Sequence, residues 1–188
     1  MNRPAAFLDR DGTLLVEREG WLTRPEQVRL LPGAGGAIRR LNAAGVAVVI
    51  LTNQSAVARG HLSEKRLGQI HREMERRLQR HGARIDAVYY CPHHPTLGRG
   101  PYRKRCTCRK PGKGMLQQAA RDLDLTFRGS FVIGDDLRDL ELTRNSTLRP
   151  VLVLTGKGRQ VQEEAVERFG GRLLVARDLA GAVEVLLG

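Results

Sequence analysis

Several sequence features are scarce in this chain, and each scarcity excludes a class of protein. Only 4% of its 188 residues are aromatic, and 20 acidic residues stand against 32 Lys and Arg. No apolar run approaches the roughly 20 residues that span a bilayer, and the opening MNRPAAFLDRDGT contains no apolar stretch typical of a signal peptide. We therefore expect a cytoplasmic protein that does not enter a membrane.

Cysteine is also scarce, and its placement is informative. The three cysteines, Cys91, Cys106 and Cys108, lie within 18 residues of one another, next to histidines. A disulfide framework usually spreads an even number of cysteines along the chain. This crowded, odd set indicates a metal site in a reducing compartment instead.

The chain does contain enough apolar side chain for one core. Its residues are 41% hydrophobic, which predicts a single domain over 1–188, and a domain of this size is compatible with a monomer. The formal net charge of +12 favours an anionic partner, either nucleic acid or a phosphorylated metabolite. Single-strand binders stack bases on aromatic rings, yet Tyr102 is the one aromatic residue of the basic loop. A basic nucleic-acid-binding module therefore remains the non-enzyme alternative.

Short apolar runs alternate with helical patterns along the chain. This alternation predicts an α/β fold with a Rossmann-like parallel sheet and helices on both faces. Ser63 is the expected N-cap of a helix whose stripe is Leu67, Ile70, Met74 and Leu78. The predicted strands are 5–9, 46–51, 85–90, 130–134, 150–154 and 172–176, and the predicted helices are 34–44, 63–81, 112–123 and 178–187.

Carboxylates follow two of these predicted strands. Asp9 and Asp11 leave the first strand in FLDRDGT, and GDDLRDLE supplies Asp135, Asp136 and Asp139. Ligands of such sheets bind beyond the carboxyl ends of the strands, and clustered carboxylates need a cation, for which Mg²⁺ has the preferred oxygen chemistry. The alternative for Asp9 and Asp11 is that they only form a turn.

A second group of candidate ligands follows the third predicted strand. Cys91 and His93 form C-x-H, and Cys106 and Cys108 form C-x-C after a gap of twelve residues. Three thiolates and one imidazole match a closed structural Zn²⁺ site, whose metal would supply about 10 kcal/mol of apparent folding free energy to a loop with little apolar content. His94 is the alternative imidazole, and a metal-free loop with reactive thiols is the other alternative.

The same loop is strongly basic. No acidic residue lies between positions 91 and 115, whereas seven basic residues do. Such a run is usually only a solvated face, but its closeness to the predicted metal site favours a surface that grips an anionic substrate. The basic residues are Arg99, Arg103, Lys104, Arg105, Arg109, Lys110 and Lys113.

The motifs DRDGT, LTNQ, CRKP and GDD, in this order, resemble those of the haloacid dehalogenase superfamily of phosphohydrolases. The resemblance implies that Asp9 is a nucleophile that takes the phosphoryl group and that Asp11 is the general acid and base. It implies that Thr52, with Asn53 beside it, holds phosphate oxygens, and that Lys110 neutralises phosphoryl charge. Phosphoryl transfer depends largely on such positioning and positive charge.

The resemblance also implies a Mg²⁺ ligand set. The set comprises a carboxylate oxygen of Asp9, the backbone carbonyl of Asp11 and the carboxylate of Asp135. Asp136 is either a supporting group or a surface residue. A zinc-binding loop over about 91–110 would stand where larger relatives carry a cap domain.

Longer motifs narrow the resemblance. FLDRDGTLL, LTNQSAVARG, YYCPHHP and CTCRKPGKGM are similar to phosphatases that remove the 7-phosphate of D-glycero-D-manno-heptose 1,7-bisphosphate, on the route to heptose for surface polysaccharides. That resemblance implies that Arg109 and Lys110 contact phosphate and substrate, and that Arg59 and its neighbours shape the pocket. Histidinol-phosphate phosphatases or other small-metabolite phosphatases are the alternative, with a shorter zinc loop in the histidinol enzymes. The stretch VEREGWLTRPEQV departs from the pattern of these phosphatases, so the resemblance implies no particular sugar contact within it.

Overall fold

The computed structural model describes residues 3–188, so the first two residues of the predicted 1–188 domain lie outside it. Its centre is one six-stranded sheet in the order β3-β2-β1-β4-β5-β6, with every neighbouring pair parallel. The predicted fold class is therefore confirmed. The strands are β1 Arg3–Leu8, β2 Ala47–Asn53, β3 Ala87–Cys91, β4 Leu125–Gly134, β5 Arg149–Val153 and β6 Leu174–Ala176.

Within residues 3–188, six α-helices connect and cover these strands. Ser63 caps the longest helix as predicted, because its hydroxyl accepts a hydrogen bond from the Arg66 amide at 3.2 Å. Among the described residues, no helix has the length and apolar character needed to cross a bilayer. The helices are α1 Ala34–Ala43, α2 Glu64–Gln79, α3 Gly114–Asp122, α4 Leu137–Leu140, α5 Gly158–Phe169 and α6 Leu179–Leu187.

The sheet is covered on both faces because neighbouring strand residues point to opposite sides. Leu8 and Ile50 pack into the core formed with α1, α2 and α6. Phe7 and Val49 pack into a second core, which includes Met115 of α3. Residues 5–8 of β1 and 47–51 of β2 are thus apolar and buried, and polar chemistry follows at the carboxyl ends of these strands.

Several predicted boundaries need correction. β4 begins at Leu125, five residues before the predicted start, because its first part pairs with Arg3 and Pro4 across an irregular register. β5 ends at Val153, so residue 154 lies outside it, and α3 begins at Gly114 rather than at residue 112. The sequence pattern gave no indication of α5, whose buried residues are only Gly158 and Ala165.

The strand order determines where the ligand crevice lies. From β1 the chain builds outward through β2 and β3, and then returns to place β4 on the other side of β1. The connections on the two sides of β1 diverge at this point, which opens a crevice at the carboxyl end of the strands. Asp9 follows β1 and Asp135 follows β4 at that crevice.

Candidate active site and metal centres

Lys110 occupies the centre of the crevice. Its Nζ lies 2.5 Å from Oδ1 of Asp9, 2.6 Å from Oδ1 of Asp139 and 2.6 Å from the carbonyl oxygen of Leu51. The lysine side chain is only 4% exposed. Burial alone would lower the pKa of Lys110, but the charges of Asp139 and Asp9 raise it above its usual value. The structure therefore brings together a permanently charged ammonium group and the predicted nucleophile.

Asp9, Asp135 and Asp139 form a compact carboxylate group, with one oxygen from each within 4.8 Å of the others. Burial raises the pKa of Asp9 to about 7, although Lys110 opposes this shift. Burial, followed by the charge of Asp9, raises the pKa of Asp135 to about 8. One ammonium group does not neutralise three carboxylates, and hard oxygen ligands in this arrangement fit a divalent cation such as Mg²⁺.

Gly12 and Gly156 allow the backbone to lie close against the Asp135 carboxylate. A Cβ atom at Gly12, where φ is +84°, would lie 2.2 Å from Oδ2 of Asp135, and one at Gly156 would lie 2.1 Å from the same oxygen. The backbone amide of Lys157 also donates a hydrogen bond to this oxygen at 2.8 Å. The glycine of DRDGT is therefore required for close approach as well as for the turn.

Asp139 is a site residue that the predicted ligand set omitted. It lies four residues after Asp135, on the short helix α4, and its side chain is 4% exposed. The sequence spacing alone does not reveal it, because Asp135 precedes α4 and the direction of Asp139 depends on where that helix begins. For Asp11 the predicted ligand is the backbone carbonyl. In agreement with that, the Asp11 carboxylate lies outside the group formed by Asp9, Asp135 and Asp139.

Asp136 lies beside this group but is engaged elsewhere. It is the N-cap of α4, where its Oδ1 accepts a hydrogen bond from the Arg138 amide at 3.0 Å. Its Oδ2 pairs with the Arg138 guanidinium at 2.6 Å. Both residues line the crevice, so Asp136 orients a cation on its wall.

The Asp11 carboxylate is held by two donors. Arg10 reaches it through Nη2 at 2.7 Å and through Nε at 3.1 Å, and Gln54 Nε2 donates to Oδ2 at 3.0 Å. Burial would raise the pKa of Asp11, but the Arg10 charge and these hydrogen bonds hold it below its usual value. The Asp11 side chain keeps 34% exposure on the crevice side, so it is oriented and still accessible.

The predicted phosphate-binding pair at the end of β2 is partly engaged within the protein. The Thr52 hydroxyl accepts a hydrogen bond from Gln54 Nε2 at 2.9 Å. Asn53 Nδ2 donates to the Lys110 carbonyl at 3.1 Å, and Asn53 Oδ1 accepts from the Lys110 amide at 3.0 Å. Asn53 therefore fixes the Lys110 backbone, while both residues still line the crevice.

The crevice has a volume of about 230 Å³. Arg109 lines it, and its Nη1 donates a hydrogen bond to the His93 carbonyl at 3.2 Å. Arg59 is not among the lining residues; its guanidinium lies 5.6 Å from the ring centre of Trp21, which does line the crevice. Basic residues are prominent in the lining: Arg10, Arg18, Arg109, Lys110, Arg138 and Lys157.

The four predicted zinc ligands come together at the end of β3. The sulfur of Cys91 lies 3.6 Å from that of Cys106 and 3.2 Å from that of Cys108, and His93 Nδ1 lies 3.3 Å from the Cys108 sulfur. A tetrahedral Zn²⁺ with Zn–S distances of about 2.3 Å has ligand separations of about 3.7 Å. The donor types and the spacing therefore fit Zn²⁺.

The alternative imidazole is engaged in its own loop. His94 Nδ1 accepts hydrogen bonds from the amides of Thr96 at 3.3 Å and Leu97 at 3.0 Å. The ring of His94 therefore stabilises a turn, and the structure groups His93 rather than His94 with the cysteines.

Two family models match the chain. One, described as HAD-hydrolase-like, matches residues 107–182. The other, described as polynucleotide kinase 3 phosphatase, matches residues 5–141 and thus most of the chain. Together the two models cover the carboxylate group and the zinc-ligand loop.

Named relatives are more specific. A D-glycero-D-manno-heptose-1,7-bisphosphate 7-phosphatase from Thermosynechococcus vestitus is 40% identical over 188 residues, which covers 98% of this chain and 95% of that protein. A D-glycero-beta-D-manno-heptose-1,7-bisphosphate 7-phosphatase from Rhodopseudomonas palustris is 48% identical over 142 residues, with 76% and 78% covered.

A solved structure agrees with these relatives. The crystal structure of D,D-heptose 1,7-bisphosphate phosphatase from B. bronchiseptica, complexed with magnesium and phosphate, matches this fold with a TM-score of 0.86 at 37% identity, covering 98% of each chain. Fold, length and sequence thus agree over nearly all residues. The chain belongs to the heptose 1,7-bisphosphate 7-phosphatase family of the haloacid dehalogenase (HAD) superfamily.

Proposed function

We propose that this chain is a Mg²⁺-dependent phosphomonoester hydrolase that removes the 7-phosphate of D-glycero-D-manno-heptose 1,7-bisphosphate. The observation that carries the proposal is the buried Lys110 ammonium 2.5 Å from Asp9, in a chain 40% identical to a named phosphatase over 98% of its length. A carboxylate attacks an anionic phosphoryl group only where positive charge offsets the repulsion. Lys110 supplies part of that charge.

Asp9 and Asp11 divide the chemistry between them. An Asp9 oxygen bonds to phosphorus while the bond from phosphorus to the sugar oxygen breaks, and Asp11 gives its proton to that oxygen. Asp11 then takes a proton from water, the water oxygen bonds to phosphorus, and the bond between Asp9 and phosphorus breaks. The grip of Arg10 on Asp11 favours the carboxylate form, which this second step requires.

The carboxylate group supports a Mg²⁺ site. Asp9, Asp135 and Asp139 would hold the ion with their oxygens, together with the Asp11 carbonyl that the sequence analysis predicts. When bound, the ion supplies positive charge to the phosphoryl oxygens. Lys110 separately offsets the repulsion between Asp9 and Asp139, because its ammonium pairs with both carboxylates.

The Cys and His group supports a structural Zn²⁺ site. Cys91, His93, Cys106 and Cys108 would fill all four positions of a tetrahedral ion, which leaves none for substrate or water. The ion would fix loop 91–110, which carries Arg109 and Lys110 into the crevice. Thiolate ligands of this kind also favour a reducing compartment such as the cytoplasm.

The lining of the crevice supports a substrate with two phosphates. Five cations besides Lys110 line it. Arg10 is fully buried and bound to Asp11, whereas the other four are all more exposed than Lys110. Guanidinium groups bind phosphate through two parallel hydrogen bonds. We therefore assign the second phosphate to this basic wall, formed by Arg18, Arg109, Arg138 and Lys157.

A phosphate-release panel with Mg²⁺ tests the proposal. The substrates are both anomers of the heptose bisphosphate, fructose 1,6-bisphosphate, histidinol phosphate and a 3′-phosphorylated oligonucleotide, the last because of the polynucleotide family match. We expect the largest kcat/KM for one heptose anomer. A larger value for histidinol phosphate or for the oligonucleotide would overturn the substrate assignment. We also propose that the protein is a monomer, which sedimentation in the same buffer tests.

A further inference from the structure

His71 is a buried histidine on the apolar side of α2. Its neighbours along the helix stripe are Leu67 and Met74, both fully buried, and His71 itself is only 8% exposed. Its ring lies 5.8 Å from the ring of Tyr90 in β3. A polar ring in such surroundings costs free energy unless it has a partner.

The partner is Arg10, the residue between the two catalytic aspartates. His71 Nε2 lies 3.1 Å from Arg10 Nη1. A guanidinium group has donors only, so Nε2 is the acceptor and the ring is neutral with its proton on Nδ1. Burial, followed by the charge of Arg10, lowers the pKa of His71 to about 3, which agrees with a neutral ring.

Arg10 uses its Nε and Nη2 donors on Asp11. Its side chain is fully buried, its Nη2 lies 2.7 Å from Asp11 Oδ2 and its Nε lies 3.1 Å from Oδ1. Rotation of the guanidinium plane would break these contacts and the contact with His71 together. The orientation of the Asp11 carboxylate therefore depends on a histidine that does not reach the crevice.

We propose that His71 is a positioning residue for Asp11: its Nε2 holds the Arg10 guanidinium in the plane from which Nε and Nη2 orient the Asp11 carboxylate. This inference rests on the proposed function, because it gives Asp11 the role of general acid and base. His71 touches neither substrate nor metal in this assignment. It acts through Arg10.

The test compares two substrates whose leaving groups differ. Departure of an alkoxide requires a proton from Asp11, whereas p-nitrophenolate leaves without one. For His71→Leu we expect kcat/KM on the heptose bisphosphate to fall by about tenfold to a hundredfold, within the range that general acid catalysis contributes. On p-nitrophenyl phosphate we expect a loss of less than about threefold, because kcat/KM reports steps up to the first bond cleavage.

Two further variants separate positioning from structure. Met74→Ala removes a buried side chain from the same stripe without touching Arg10, so we expect a lower melting temperature and unchanged kcat/KM on both substrates. His71→Gln places an acceptor near the position of Nε2, whereas His71→Asn is too short, so we expect Gln and not Asn to restore the alkyl phosphate rate. The Gln and Asn pair also keeps the test available if His71→Leu fails to fold.

The outcomes are distinct. Equal losses on both substrates, or a His71→Leu variant with unchanged kcat/KM on the heptose bisphosphate, would overturn the positioning role. Failure of the wild-type protein to hydrolyse any heptose bisphosphate would instead overturn the proposed function. Side-chain ¹⁵N resonances of His71 give a readout without substrate: we expect the neutral Nδ1–H form, and a protonated ring near neutral pH would contradict the hydrogen bond from Arg10.

Discussion

The carboxylate centre and the Cys and His centre are built in opposite ways. The carboxylate centre takes Asp9 from the end of β1, Asp135 from the end of β4, and Lys110 from the loop after β3. The other centre takes four ligand atoms from one segment of 18 residues. The carboxylate centre therefore forms only when the sheet is assembled. The Cys and His centre needs a metal instead, because its loop has few apolar side chains to stabilise it.

Loop 91–110 joins the two centres. It carries the four Zn²⁺ ligands, Arg109 and Lys110, yet the Lys110 backbone is also tied to β2 through Asn53. Loss of one centre is thus expected to affect the other only in part. The following changes test how independent they are.

Asp9→Asn should have the largest effect on activity. Removal of a covalent nucleophile costs about 10⁴-fold or more in kcat. The zinc-ligand loop lies elsewhere, so we expect unchanged zinc content and an unchanged circular dichroism spectrum. Phosphate release and elemental analysis of the same preparation measure both. Near-normal turnover would remove Asp9 from its role.

Asp139→Asn should weaken Mg²⁺ affinity by about 10-fold to 100-fold, the usual cost of disturbing a group that supports or ligates a metal. The matched control is Asp136→Asn, because Asp136 pairs with Arg138 rather than with Lys110. We expect the control to keep its Mg²⁺ affinity within about threefold of wild type. Titration of activity with Mg²⁺ measures both variants, and equal losses would contradict the assignment of Asp139 to the centre.

Cys108→Ser should remove zinc and lower the melting temperature, since the metal contributes folding free energy to the loop. We expect kcat to fall by only about tenfold, far less than for a lost nucleophile, because Asn53 still holds the Lys110 backbone. His94→Ala is the control, and it should keep about one zinc per chain. A zinc-free wild-type protein with the same melting temperature as the zinc-loaded wild type would contradict the structural role.

The smallest expected effect is the pH dependence of the stabilisation by Mg²⁺. The pKa values of Asp9 and Asp135 are raised to about 7 and about 8, so protons compete with Mg²⁺ for these oxygens below those values. As pH rises through this window, the protons leave and the metal-free protein loses stability through repulsion. We therefore expect Mg²⁺ to raise the melting temperature more at pH 8.5 than at pH 6. An equal shift at both pH values would show that these carboxylates do not bind the ion.

The contrast between the two centres also explains what the sequence could predict. C-x-H and C-x-C are local spacings, so His93 and the three cysteines could be grouped before the fold was known. The fold class was equally accessible, because apolar strands alternate with helices. Asp139 was harder, since its direction depends on where α4 begins, and Asp136 fixes that start as the N-cap.

Arg10 and His71 were the least predictable. An arginine between two aspartates is expected on the surface, and a histidine on an apolar stripe is expected to fill space. Their contact joins residues 61 positions apart, and neither residue carries a local signal for it. The role of Arg59 stays a prediction: its guanidinium lies over the ring of Trp21, and Trp21 lines the crevice.

Asn53 has a consequence for engineering the enzyme. Its side-chain amide binds both the N–H and the C=O of Lys110, so the lysine keeps its register with β2 whatever precedes it. Residues 94–105, which lie between the Zn²⁺ ligands His93 and Cys106, then become a replaceable module: a graft of different length can change which phosphate esters are admitted while the ammonium beside Asp9 stays in place. Substrate range and catalytic charge are separately adjustable in this architecture.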